Sequence, residues 1–152
     1  MGLLKRHLHT AIITKDIDYL SLFYQILLNA DVIKDITLDS YEFQTGIGLP
    51  GMTARTIHLY SSSLAFTLEL TQFDDHHDTV DEKRVNTSGI RHLAFEVDDI
   101  NSVIEALEQQ KLKFTLVTKF PVRIKTVHNI IEFIYMRDLE NNIIELISYK
   151  EL

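Results

Sequence analysis

The chain has 152 residues, 45% hydrophobic and 24% charged, which is the size and make-up of one ordinary globular domain or two very small ones. Acids outnumber bases 22 to 15, and a net charge of -7 argues against a general binder of nucleic acid or anionic membrane. Cysteine is absent, which excludes disulfides, thiolate nucleophiles and cysteine-based zinc or iron–sulfur sites. No apolar run is long enough to span a bilayer. The basic segment Met1 to Thr10 lacks the apolar core and cleavage site of a signal peptide, and the lack of cysteine leads us to expect a reducing cytoplasm.

In chain order, the short apolar segment His7 to Thr14 reads as a strand. Asp16 can cap a helix carrying Ile17, Leu20, Tyr24, Leu27 and Leu28 at helical spacing and ending near Asn29. The Tyr19, Phe23 and Tyr24 cluster reads as helix packing against a sheet. Three extended stretches follow, about Val32 to Phe43, Met52 to Tyr60 and Leu64 to Phe73, separated by a turn at Gly46 to Gly51 and by Ser61-Ser62-Ser63. Residues 74–88 are rich in acids and poor in apolar side chains, as an exposed linker is. The order then repeats. Ile90 to Val97 reads as a strand and Asp99 caps a helix with Ile100, Val103, Ile104 and Leu107 on one face. Extended stretches follow at Lys113 to Phe120, Ile130 to Arg137 and Asn142 to Tyr149, with Asn141-Asn142 suited to a turn.

The repeat shows in residues as well as in order. His9 precedes Asp16 by seven, and His92 precedes Asp99 by seven. Leu68-Glu69-Leu70 near the end of the first half is answered by Ile144-Glu145-Leu146 near the end of the second. Two copies of a β-α-β-β-β unit are therefore expected, over about 7–73 and 89–150.

His9, Glu69, His92 and Glu145 do not suit a pure core. His92 and Glu145 lie deep in apolar strands, and a buried carboxylate without a partner costs several kcal/mol or a large upward pKa shift. A divalent cation relieves that cost. Two imidazoles and two carboxylates suit Zn, Ni, Co, Mn or Fe, and the two negative charges neutralise the ion. Taken singly, each His or Glu is more often an ordinary strand residue. Their matching places in the two repeats are what join them into one site.

These residues resemble the vicinal oxygen chelate superfamily, which includes glyoxalase, methylmalonyl-CoA epimerase, extradiol dioxygenases and the fosfomycin and bleomycin resistance proteins. The motifs that carry the resemblance are His9-Thr-Ala-Ile-Ile-Thr-Lys-Asp16 with Leu22-Phe23-Tyr24, and Gly48-Leu-Pro-Gly-Met-Thr-Ala-Arg55. To these add Leu68-Glu69-Leu70, Gly89-Ile-Arg-His92-Leu-Ala-Phe-Glu-Val-Asp-Asp99 and Arg137-Asp138-Leu-Glu-Asn-Asn-Ile-Ile-Glu145-Leu146. The resemblance implies a single α+β domain of two tandem βαβββ units forming a half-open, mostly antiparallel barrel around a metal site. It implies His9, Glu69, His92 and Glu145 as ligands of one divalent ion. It also implies a homodimer.

A metal-dependent lyase or isomerase of glyoxalase or epimerase type is the first expectation. A proton next to a carbonyl is removed, an enediolate or enolate forms with its charge stabilised by the metal, and the proton returns elsewhere. The base is Glu145 or Glu69, with Glu145 preferred because its apolar surroundings should raise its basicity. The alternative is a non-catalytic binding or resistance protein of the same fold. An extradiol-type dioxygenase comes third, because a fourth protein ligand would take a position that oxygen or substrate needs. Arg55, Arg123 and Lys125 are candidates for a substrate carboxylate or phosphate, against the commoner role of solvated surface charge. The expected partner is a small molecule with adjacent oxygens, a thioester or a carboxylate, with neither nucleic acid nor membrane.

The other features carry less. His7 can support His9 or simply sit at an exposed strand end, His76-His77 read as solvated linker, and His58 and His128 have no assignment. The glycines at 46, 48 and 51 are too loosely spaced for a phosphate-binding loop, and no Ser-His-Asp signature is present.

Overall fold

The computed structural model describes residues 3–75 and 83–151, so His76, His77 and the linker residues up to 82 lie outside the described residues. The chain divides into two compact units, Met1–Asp78 and Thr79–Leu152. Among the described residues no helix is long and apolar enough to cross a membrane.

Unit 1 runs β1 (Thr10–Ile13), α1 (Ile17–Leu28), β2 (Asp31–Leu38), α2 (Tyr41–Ile47), β3 (Ala54–Ser61) and β4 (Phe66–Phe73). Its four strands lie in the order β1-β4-β3-β2, with β1 parallel to β4 and the other pairs antiparallel. The parallel pair follows from α1, since a parallel connection needs a crossover. Asp16 caps α1 by accepting from the Tyr19 N–H at 3.0 Å, and the Gln72 side chain accepts from the Ile17 N–H at 3.0 Å. The helix ends where Asn29 takes a left-handed conformation, φ 46°, as an asparagine can at a helix end. Ile17, Leu20, Phe23, Tyr24 and Leu28 are buried on α1, and Ile57, Leu59, Leu68 and Leu70 on β3 and β4. Because alternate strand residues share a face, these four leave Thr56, His58, Glu69 and Thr71 on the opposite face.

The expected strand Val32 to Phe43 is shorter than predicted, and α2 replaces its end. Ser40 caps α2 by accepting from the Phe43 N–H at 3.2 Å, and Gly48 closes it with φ 72°. The Gln44 side chain ties the following loop, donating to the Asp39 carbonyl at 3.0 Å and accepting from the Gly51 N–H at 2.9 Å. The first strand is also shorter than His7 to Thr14, and His9 immediately precedes it.

Unit 2 runs β5 (His92–Glu96), α3 (Ile100–Gln109), β6 (Thr115–Leu116), β7 (Val122–Lys125), β8 (Asn129–Arg137) and β9 (Ile143–Glu151). The order β5-β9-β8-β6 matches unit 1, with β5 parallel to β9, and β7 adds a strand on β8. The architecture is thus α+β, with two sheets built on the same β-α-β-β-β order. The single stretch predicted at Lys113 to Phe120 is cut to two residues of strand, and β7 was not predicted. Asp99 caps α3, accepting from the Asn101 N–H at 3.0 Å. The turn from β8 to β9 carries Asn141 at φ 63°. The buried Asp138 carboxylate holds that turn, accepting from the N–H groups of Glu140 and Asn142, each at 2.9 Å.

Glu132 on β8 is buried and joins three elements. It accepts from Arg123 Nε on β7 at 2.8 Å and from Lys150 Nζ on β9 at 2.6 Å. The hydrogen bond from Lys150, then that from Arg123, hold its carboxyl below the usual carboxylate range. Its contribution to stability is therefore full above the ordinary glutamate pKa of about 4.3 and is lost as pH falls through the lower folded value. In urea titrations, Glu132→Gln is expected to be less stable than the parent at pH 7 by about 1–2 kcal/mol, because both cations are partly exposed. The difference should shrink as pH falls below 4. An equal difference at pH 7 and pH 3 would contradict this role.

Candidate metal and active site

In unit 1 three neighbouring strands converge on Glu69. Ala11 of β1 pairs with Glu69 of β4, and His9, two residues before Ala11, shares its face. On the other side His58 of β3 is the direct cross-strand partner of Glu69. His58 Nε2 lies 2.9 Å and His9 Nε2 3.4 Å from the same oxygen, Glu69 Oε2. The two imidazoles stand edge to face with centroids 5.5 Å apart. Glu69 Oε1 accepts from Thr71 Oγ1 at 3.1 Å, and Thr71 Oγ1 is 2.9 Å from Thr56 Oγ1, a buried hydroxyl pair. One carboxylate oxygen is thus fixed by the sheet while the other faces both histidines.

In unit 2 the corresponding strands bring His92 to Glu145, with His92 Nε2 3.3 Å from Glu145 Oε2. Tyr135 of β8 is the cross-strand partner of Glu145, the place that His58 holds beside Glu69. Burial pushes the Tyr135 phenol up, and its hydrogen bond to the Glu145 carboxylate pushes it further, so it stays protonated and donates. The Tyr135 ring stands edge to face with His92, centroids 5.6 Å apart, and with Phe133. Side-chain exposure is 14% for Glu145 and 35% for His92, so the carboxylate is sheltered and the imidazole accessible.

These separations can be compared with what an ion requires. Nitrogen and oxygen donors at about 2.0–2.2 Å from one zinc-like ion, at tetrahedral or octahedral angles, lie about 2.9–3.5 Å apart. The His58–Glu69, His9–Glu69 and His92–Glu145 contacts all fall in that interval. Among the described residues His9, His58 and Glu69 form a group whose donor atoms all lie within 4.8 Å of one another. The sequence singled out His9 and Glu69, and His92 and Glu145, and the structure brings each pair together within its unit. It also adds His58 and Tyr135. The signal that would have found them is hairpin register. Given the turn between β3 and β4, residue 58 must face residue 69, and given the turn between β8 and β9, residue 135 must face residue 145.

The three candidate substrate cations are placed elsewhere. Arg55 pairs across β3 and β4 with Gln72, an odd number of residues from His58, so it lies on the helix-covered face. There its guanidinium grips both oxygens of Asp35, at 2.9 and 2.8 Å, and Asp18 Oδ1 of α1 at 2.8 Å. The hydrogen bonds from Arg55 hold the Asp35 carboxyl below the usual range. Arg123 pairs with Glu132, and Lys125 shares its face, whereas Val122 and Ile124 share the face of Phe133 and Tyr135. Strand parity therefore separates all three cations from the histidine–glutamate groups of their own units. His7 is exposed, and His128 lies in the turn between β7 and β8.

Residues 8–128 match the family model described as the Glyoxalase/Bleomycin resistance protein/Dioxygenase superfamily. None of the curated proteins searched matches the chain. Among solved structures, a glyoxalase family protein from Bacillus cereus is similar with a TM-score of 0.81 at 17% identity, covering 98% of this chain and 97% of that one. The genomically encoded fosfomycin resistance protein FosX from Listeria monocytogenes, complexed with Mn(II) and sulfate ion, follows at a TM-score of 0.61 and 16% identity, covering 96% and 93%. A mutant of that protein, complexed with Mn(II) and 1S,2S-dihydroxypropylphosphonic acid, gives 0.57 at 16% identity, covering 95% and 90%. At such identities the likeness is one of fold.

Proposed function

The chain belongs to the glyoxalase/bleomycin resistance protein/dioxygenase superfamily, and from that premise we propose a metal-dependent lyase or isomerase that moves a proton next to a carbonyl. The observation that carries this is the equivalent placing of His9 with Glu69 and of His92 with Glu145, each pair at a spacing that suits donors to a common cation. These residues are donors suited to a divalent ion of Zn, Ni, Co, Mn or Fe type. Bound there, the ion supplies Lewis acidity for a substrate's neighbouring oxygens and for the negative charge that develops when the adjacent C–H ionises.

The remaining work falls to the chain. Glu145 accepts the substrate proton on a carboxylate oxygen and returns it to the neighbouring carbon or to the other face. Tyr135 orients that carboxylate through its hydrogen bond. In unit 1, Thr71 and the buried Thr56 hold the Glu69 carboxylate in one orientation. The ligand class is a small molecule with two neighbouring oxygens. The diol phosphonate complexed with the mutant fosfomycin resistance protein is a ligand of that kind and supports the choice.

The test is solvent deuterium incorporation. Metal-loaded protein in D2O is mixed with panels of α-hydroxy ketones, thiol hemiacetals of 2-oxoaldehydes and 2-substituted acyl thioesters, and followed by NMR. Exchange at the carbon next to the carbonyl, lost on chelation, is the expected result. Metal uptake without exchange on any panel would overturn the catalytic reading and leave a binding or resistance protein.

A further inference from the structure

We propose that unit 1 by itself holds a divalent cation, on His9, His58 and Glu69, with His58 as a full ligand. This rests on the metal-dependent reading above and names a donor that reading does not include. Three observations carry it.

The first is convergence. The carboxylate sits on a central strand, β4, with an imidazole on each flanking side, because the strand order is β1-β4-β3. Both Nε2 atoms address the single oxygen Oε2, at 3.4 and 2.9 Å, while Thr71 engages Oε1. Without a cation, both imidazoles would have to carry their proton on Nε2 to satisfy that one oxygen. A cation is satisfied by the lone pair of each neutral ring together with the carboxylate.

The second is the departure from the repeat. At the place equivalent to His58, the cross-strand partner of the glutamate, unit 2 has Tyr135 beside Glu145. A phenol hydroxyl serves a carboxylate as a hydrogen-bond donor, whereas an imidazole offers an ion a neutral donor of its own. The two units therefore differ in donor number, three against two.

The third is access. The His9, His58 and Glu69 side chains are 37%, 18% and 20% exposed, sheltered enough to be held yet open to an arriving ion. Two imidazoles and one carboxylate leave open coordination positions and, on a divalent ion, one uncompensated positive charge. The further ligand that completes such a site is an anionic oxygen, which suits an ionised substrate.

The experiment titrates Co(II) into the full-length, untagged chain, with affinity read by calorimetry and ligand identity by the visible ligand-field bands. Four proteins are compared: the parent, His58→Gln, His58→Ala, and His92→Ala with Glu145→Ala. Circular dichroism checks that each is folded, and the glutamine variant preserves side-chain bulk should the alanine variant unfold. The double variant is expected to keep one Co(II) per chain. The His58 variants should lose affinity by tenfold or more, with shifted bands. Unchanged affinity and bands in a folded His58 variant would overturn the proposal, as would loss of all binding in the double variant, and either result leaves the metal-dependent reading standing. A parent protein that takes up no Co(II), Zn, Ni, Mn or Fe(II) would overturn both.

Discussion

Replacing Glu145 by glutamine is expected to slow solvent deuterium incorporation by about 10²–10⁴-fold, the usual contribution of a positioned general base. Glutamine keeps the shape of the side chain and can still accept a hydrogen bond from Tyr135, but its amide cannot take up a proton. Glu145 lies on the face of β9 that alternates with the buried Ile144, Leu146 and Ser148, so the core is untouched and stability should change little. Metal content measured on the same sample separates loss of the ion from loss of the base. Full rate in a metal-replete Glu145→Gln protein would move the base to Glu69, and the matching Glu69→Gln variant would then be the inactive one.

The largest effect on stability is expected at Phe23. Its side chain is fully buried on α1 and stands edge to face with Tyr24, centroids 5.2 Å apart, where the helix covers β3 and β4. Truncation removes a large apolar surface and leaves a cavity that rigid strands cannot close. Phe23→Ala should therefore cost about 3–5 kcal/mol. For a domain of ordinary stability that is a large share of the total. Urea unfolding should show a lower midpoint with an unchanged slope. A loss below about 1 kcal/mol would mean that α1 does not carry the core of unit 1.

Much of the fold could be read because local chemistry and long-range packing agree. Asp16, Asn29 and Asp99 mark helix ends through side chains that bond their own backbone or tolerate a left-handed turn. The β-α-β-β-β order appears in both units, and the family match bears out the resemblance drawn from the motifs. What could not be read shares a physical cause. Helix α2 buries no residue, so it leaves no apolar stripe at helical spacing, and only its caps, Ser40 and Gly48, betray it. Strand β7 is exposed at all four positions and has no alternation to detect. His58 gains its meaning from a register that turn geometry sets, which a residue list does not contain. Charge alone points to Arg55, Arg123 and Lys125, whereas parity along the strand decides which face a side chain reaches.

Metal content tests the central claim most directly. Untagged protein, purified without chelator, is examined by elemental mass spectrometry beside a His9→Ala Glu69→Ala variant, each before and after incubation with Zn, Ni, Co, Mn and Fe(II). About one divalent ion per chain in the parent, and none in the folded variant, is the result expected. A parent with no stoichiometric ion under any of these conditions would contradict the metal site and the proton-transfer chemistry that rests on it.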